Sequence, residues 1–174
     1  MSEQNKTFSA LQTAIKMETD GKQFYLKASK ESTNDAGRKM LAHLAEEEDV
    51  HRRVFEQIYE ALRNKKSWPQ VEIKADTKGL KTLFAQAAEK LGKVKKGPAT
   101  ELDAVKTAID MENKSYDFYK AQLKTAYYDA EKKFYEELAA QERGHHQVLS
   151  DYYEYLKDPA AWFVKAEHPS LDGG

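Results

Sequence analysis

The chain has no cysteine, which removes catalytic thiols, disulfides, cysteine-ligated zinc, iron–sulfur clusters and any rubredoxin-type electron-transfer site. A metal, if one binds, must sit on nitrogen and oxygen ligands. Val and Ile together number only 11, while Ala, Leu, Glu and Lys dominate, a composition that starves β-sheet and favours long helices. Neither sign of charge prevails: 28 basic residues against 29 acidic ones leave −1, so nothing points to a nucleic-acid or anionic-membrane partner. No uncharged apolar run approaches the ~18 residues of a membrane span. The polar start MSEQNKTFSA lacks the basic and apolar regions of a secretory signal, and a cytoplasmic location is expected. With 174 residues there is enough chain for one domain with its own core, and the expected fold class is all-α.

What is present is a duplication. Shifted by 94 residues, positions 10–62 align with 104–156 without a gap, and 20 of the 53 pairs are identical. The clearest stretches are Ala14-Ile15-x-Met17-Glu18 with Phe24-Tyr25 against Ala108-Ile109-x-Met111-Glu112 with Phe118-Tyr119. Leu44-Ala45-x-x-Glu48-x-x-His51 likewise matches Leu138-Ala139-x-x-Glu142-x-x-His145.

Each half reads as two long helices. The first runs from about Thr7 to Lys30, breaks at Ser32-Thr33-Asn34-Asp35, and resumes to about Asn64; the second half gives helices over 100–126 and 129–157. Asp35 and its repeat partner Asp129 are expected as caps, and Asp158-Pro159 as the stop of the last helix. The domain is expected over 1–157, with hairpins 7–64 and 100–157, a crossover 65–99 holding a short helix from Leu80 to Leu91, and a tail 158–174. A helix of 30 residues is about 45 Å long, so a crossover of this size can span the bundle and start the third helix at the far end. Two hairpins related by a pseudo-twofold axis then form a four-helix bundle with ferritin-type connectivity. The same crossover permits exchange of a hairpin with a second subunit.

A single Glu-x-x-His is weak evidence, since 18 Glu and 5 His give about half an occurrence by chance. Two copies stand at equivalent repeat positions. Their setting says more: the 3-4 seam of the second helix reads Leu41, Leu44, Glu48, His51, Phe55, Ile58, and that of the fourth reads Tyr135, Leu138, Glu142, His145, Leu149, Tyr152. Glu18 and Glu112 interrupt the apolar stripes of the first and third helices in the same way. In an antiparallel hairpin, residues at one level are equidistant from the turn. Glu18 and the 48/51 pair are centred near residue 34, Glu112 and the 142/145 pair near residue 128, both in predicted breaks.

Four carboxylates and two imidazoles are thus expected at one level inside the bundle. An unpartnered buried carboxylate costs more than the whole stability of a domain. Two divalent cations would neutralise four of them. One Glu from each of two helices plus Glu-x-x-His from each of the other two is the ligand set of a carboxylate-bridged dinuclear iron or manganese centre. Glu48 and Glu142 are expected to bridge, with Glu18, His51, Glu112 and His145 as terminal ligands.

The remaining polar residues read more plainly. Glu46, Glu47, Glu136 and Glu137 are expected in solvent, as is His146; His43 is expected at the surface or behind a ligand, and His168 lies in the tail. Tyr25 and Tyr119, seven residues beyond Glu18 and Glu112, suit core packing, hydrogen bonds to ligands or a radical role. Gly21 and Ser115, three residues after the same acids, suit either a space for water or a small oxidant, or close helix packing.

Over about residues 5–157 the repeated pattern Ala-Ile-x-Met-Glu, Phe-Tyr and Glu-x-x-His resembles the rubrerythrin-like branch of the ferritin-like di-iron carboxylate superfamily. Trp162-Phe163 and the ending Glu-His-x-x-Leu-Asp-Gly-Gly (167–174) are similar to tails in that branch. The resemblance implies two iron ions, reaction with hydrogen peroxide or dioxygen in oxidative-stress defence, and a homodimer, swapped or not. Rubrerythrins proper carry a cysteine-ligated rubredoxin domain; this chain has none, so an external donor, rubredoxin-like or a flavoprotein, is implied. They also carry a redox-exchanging Glu three residues after the third-helix ligand, where Ser115 stands here. The competing expectation is a ferritin-like ferroxidase or iron store, and a third is a helical interaction module with vestigial acids.

Overall fold

The computed structural model describes residues 3–73, 77–91 and 96–167. Among these are six helices and no strand: α1 (Glu3–Glu31), α2 (Asp35–Arg63), α3 (Thr77–Leu91), α4 (Ala99–Thr125), α5 (Asp129–Lys157) and α6 (Pro159–Glu167). The four long helices bury stripes at 3-4 spacing, clearest in α2 with Met40, Leu41, Leu44, Glu48, His51, Phe55 and Ile58. Those stripes pair α1 with α2 and α4 with α5, set α1 against α4, lay α3 across α2 and α5, and fold α6 onto α5. The all-α reading holds. No helix among the described residues is long and apolar enough to cross a membrane.

The core divides into two apolar clusters. One gathers Tyr25, Met40, Leu44, Phe84, Val105, Leu149 and Tyr155; the other gathers Leu11, Phe55, Ile58, Trp68, Tyr119, Phe134 and Leu138. On every long helix the residues of the two clusters flank one polar level, at Glu18, Glu48 with His51, Glu112, and Glu142 with His145. Hydrophobic burial at both ends therefore fixes the register of the charged level between them.

The helix ends differ from the sequence expectation in instructive ways. Asn34, not Asp35, caps α2, its Oδ1 accepting from the Gly37 N–H at 2.7 Å. Asp129 is likewise the first residue of α5; there the Glu131 carboxylate accepts from the N–H groups of Tyr127 and Tyr128. Asp158-Pro159 ends α5 but also begins another helix. Asp158 Oδ1 accepts from the Ala161 N–H at 3.1 Å, and proline at a first helical position loses nothing because its missing N–H has no intrahelical partner there. Most of the predicted tail is thus α6, with Trp162 edge-on to Phe84 and Tyr155 at 5.7 and 5.6 Å. His168, the 168–174 ending and Lys95 of the crossover lie outside the described residues.

At the turn of the first hairpin a second polar knot ties the halves together. Glu101 on α4 is buried and accepts from Ser32 Oγ, Thr33 Oγ1, the Thr33 N–H and the Tyr152 hydroxyl. Gly37 leaves the room, since a Cβ there would overlap the Tyr152 hydroxyl.

Candidate metal centre

The structure brings together all six seam residues. Glu18, Glu48, His51, Glu112, Glu142 and His145 are each at most 3% exposed, although each can ionise. They form two overlapping groups, Glu18, Glu48, His51 and Glu142, and Glu48, Glu112, Glu142 and His145, in each of which one ligand atom per residue lies within 4.8 Å of the others. Glu48 and Glu142 belong to both. Glu48 Oε1, Glu112 Oε2, both carboxylate oxygens of Glu142 and His145 Nδ1 are buried without a hydrogen bond. Buried polar atoms are normally satisfied, so oxygens converging in this way are suited to a cation.

Each imidazole is oriented from behind. His51 Nε2 lies 2.7 Å from Gln141 Oε1, and the Gln141 amide nitrogen donates to the Ile73 carbonyl at 3.4 Å. That directs the amide oxygen at the ring, so Nε2 carries the donated proton and Nδ1 faces Glu18 at 3.3 Å and Glu142 at 3.4 Å. His145 Nε2 donates to Glu47 Oε2 at 2.7 Å, and its Nδ1 faces Glu48 at 3.4 Å and Glu112 at 3.5 Å. The rings lie nearly parallel, with centroids 5.9 Å apart.

The two outer acids are held across the hairpins. The Tyr25 hydroxyl on α1 donates to Glu112 on α4, and the Tyr119 hydroxyl on α4 donates to Glu18 on α1. Of the roles open to these tyrosines, the hydrogen bond to a ligand acid and packing in the core are both realised. Burial, then the neighbouring carboxylates, raise both tyrosines well above their usual pKa, so the hydroxyls stay protonated donors.

The same charge density acts on the acids and imidazoles. Burial, and then the charges of Glu18, Glu142 and Glu112, push Glu48 well above the usual carboxylate range; burial and then Glu112 and Glu18 do the same to Glu142. Burial would lower His51, but the neighbouring carboxylates of Glu18 and Glu48 together outweigh it and raise the ring to about 9; His145 is raised by Glu112, Glu47 and Glu48 against the same opposing burial. A proton or a metal cation on Nδ1 answers the same excess of negative charge.

Gly21 has the closest approach of the site. A Cβ there would stand 2.7 Å from Glu48 Oε2, so of its two expected roles close packing applies, against a carboxylate. Ser115, its repeat partner, is half-buried and makes no hydrogen bond to Glu142.

Glu47 corrects the sequence reading: expected in solvent, its side chain is only 12% exposed and holds His145. Gln141, unremarked in the sequence, does the same for His51. The available signal was positional, because residues 47 and 141 are repeat partners, each directly before the Glu of a Glu-x-x-His. Glu46 and Glu136 are exposed as expected, whereas Glu137 and His146 are partly buried. His43 is partly buried behind the site, its Nε2 3.8 Å from Glu47 Oε1.

No curated protein and no solved structure matches the chain. The rubrerythrin family model does match, over residues 9–153, which takes in both hairpins and all six residues of the buried cluster. The chain belongs to the rubrerythrin family and has its helical, ferritin-like bundle.

Proposed function

We propose that Glu18, Glu48, His51, Glu112, Glu142 and His145 hold two iron ions, with manganese as the other metal suited to the donors, and that the protein reduces hydrogen peroxide or dioxygen. The observation that carries this reading is the set of buried oxygens of Glu48, Glu112 and Glu142 that make no hydrogen bond and converge with His145 Nδ1. Four carboxylates balance two divalent ions, and imidazole with hard oxygen donors suits iron or manganese better than magnesium or calcium.

Bound there, two ferrous ions would supply the two electrons that, with two protons, convert peroxide to two waters, and an external reductant would restore them. The chain's own residues make the setting. Glu48 and Glu142, which belong to both groups, would contribute to both metal positions. Tyr119 and Tyr25 hold the terminal acids Glu18 and Glu112 in place, and Gln141 and Glu47 aim the two Nδ1 atoms inward. The apolar clusters on either side exclude bulk water and strengthen every charge interaction at the level between them. Ser115 stands where the resemblance places an exchanging Glu, so the six-residue ligand set is expected to serve both oxidation states. A separate donor, rubredoxin-like or a flavoprotein, would return the electrons, to a homodimer in the cytoplasm.

Stopped-flow mixing of the anaerobically reconstituted ferrous protein with peroxide tests the proposal. Oxidation should be much faster than in the Glu48→Ala/Glu142→Ala variant; equal rates would overturn it. Size-exclusion chromatography with iron loading separates it from a storage protein, which would assemble a shell and take up many irons per chain, whereas a dimer saturating near two per chain is expected here.

A further inference from the structure

Glu47 and Gln141 occupy one repeat position yet differ in charge. Their places in the bundle are reciprocal. Glu47 on α2 accepts from His145 on α5, and Gln141 on α5 accepts from His51 on α2, both at 2.7 Å and both from Nε2. Both rings are 1% exposed, and both present Nδ1 to two carboxylates. The acceptor is where the two supports part: a carboxylate behind His145, an amide behind His51. A charged acceptor makes the stronger hydrogen bond and draws the Nε2 proton harder, which raises electron density at Nδ1 and makes the ring a better donor to a metal. Gln141 cannot compensate by turning, because its amide nitrogen is engaged with Ile73.

His43 Nε2 stands 3.8 Å from Glu47 Oε1, the oxygen that does not hold His145, so Oε2 is left to the ring. The terminal acids are matched, each with one tyrosine hydroxyl. Gly21 and Ser115 differ, but Gly21 lies against Glu48, which belongs to both groups and so favours neither.

We infer that Glu47 makes the two metal positions unequal: the position formed by Glu48, Glu112, Glu142 and His145 binds a divalent metal more tightly and fills first, and the position formed by Glu18, Glu48, His51 and Glu142 fills second. This rests on the dinuclear reading above. Glu47 acts as a positioning residue through His145.

The test uses the full chain, stripped by chelator and titrated with zinc by calorimetry, with crystals grown at one equivalent of zinc for anomalous difference maps. Two steps separated by about 10-fold or more are expected, the scale on which groups behind a ligand tune metal affinity. The first equivalent should sit beside His145. Glu47→Gln should weaken the first step about 10-fold and bring the two together, while Gln141→Glu should strengthen the second. The double exchange Glu47→Gln/Gln141→Glu should reverse the filling order, a result that mere loss of packing cannot produce; metal-free melting curves check that each variant folds. Equal occupancy in the parent protein, or an unchanged order in the double exchange, overturns the inference and leaves the dinuclear centre standing. Failure of the parent protein to bind zinc at all overturns both.

Discussion

Tyr25 donates its hydroxyl to Glu112, 87 residues away on the other hairpin. Tyr119 returns the bond to Glu18, so each hairpin secures the outer acid of the other. A duplicated sequence that places a tyrosine seven residues after the outer acid of each half thereby makes a closed pair of ties across the charged level. Neither half could build its share of the centre alone.

Removing these ties should weaken the metal-free protein. Tyr25→Phe and Tyr119→Phe keep the buried ring and delete only the donor; a hydrogen bond to a charged group contributes about 1.5–3 kcal/mol. Urea denaturation of the chelated protein should show each variant less stable by an amount of that order. No change would mean that these acids do not depend on the hydroxyls.

Gly21→Ala should separate folding from metal binding. In a helix, alanine is favoured over glycine by about 1 kcal/mol, so the backbone gains. The added Cβ, however, would stand 2.7 Å from Glu48 Oε2 and push aside a carboxylate common to both groups. Unchanged or higher metal-free stability is expected together with weaker binding of both metal equivalents, on the order of 10-fold, read by calorimetry. Parent-like affinity would show that Glu48 has slack to move.

The sequence made the buried centre legible because periodicity and duplication acted together. Glu18, Glu48, Glu112 and Glu142 fall on apolar stripes, and equal distance from the turns puts them level. Glu47 lies beside the stripe, and a residue at the edge of a buried face looks solvated until the facing helix is known; here that helix brings His145 to it. Gln141 escaped notice for the same reason. Asp35 and Asp129 suggest caps as repeat-matched acids, but the caps are their preceding residues, Asn34 and Tyr128, which the repeat does not match. Helix α6 was hidden by a proline that reads as a stop for α5 and equally as a start for its successor.

Loss of metal should cost folding stability. A ligand bound only by the native state at 1,000 times its dissociation constant stabilises it by about 4 kcal/mol, so chelation should lower the melting temperature markedly. A vestigial cluster predicts no such drop. Glu48→Gln should divide the effect by sign. Burial and neighbouring acids already push Glu48 towards its neutral form, so an amide should raise the metal-free melting temperature while removing most of the gain on adding metal.

Glu101 gives a pH test away from the metal centre. Burial alone would raise its pKa, but hydrogen bonds from Thr33, Tyr152 and Ser32 outweigh burial and hold it below the usual carboxylate range. With the folded value below the unfolded one of about 4.3, the unfolded chain takes up the proton first on acidification. The contribution of Glu101 is therefore complete above about pH 5 and is lost as pH falls through the folded value. Glu101→Gln keeps the shape but cannot ionise, and its amide nitrogen brings a donor to a site already crowded with donors. At pH 7 it should lose about 1.5–3 kcal/mol by urea denaturation, and the gap to the parent protein should shrink on moving to pH 3.5. A gap that stays constant with pH would show that the knot between the α1–α2 turn, α4 and α5 holds through shape rather than through the charge of Glu101.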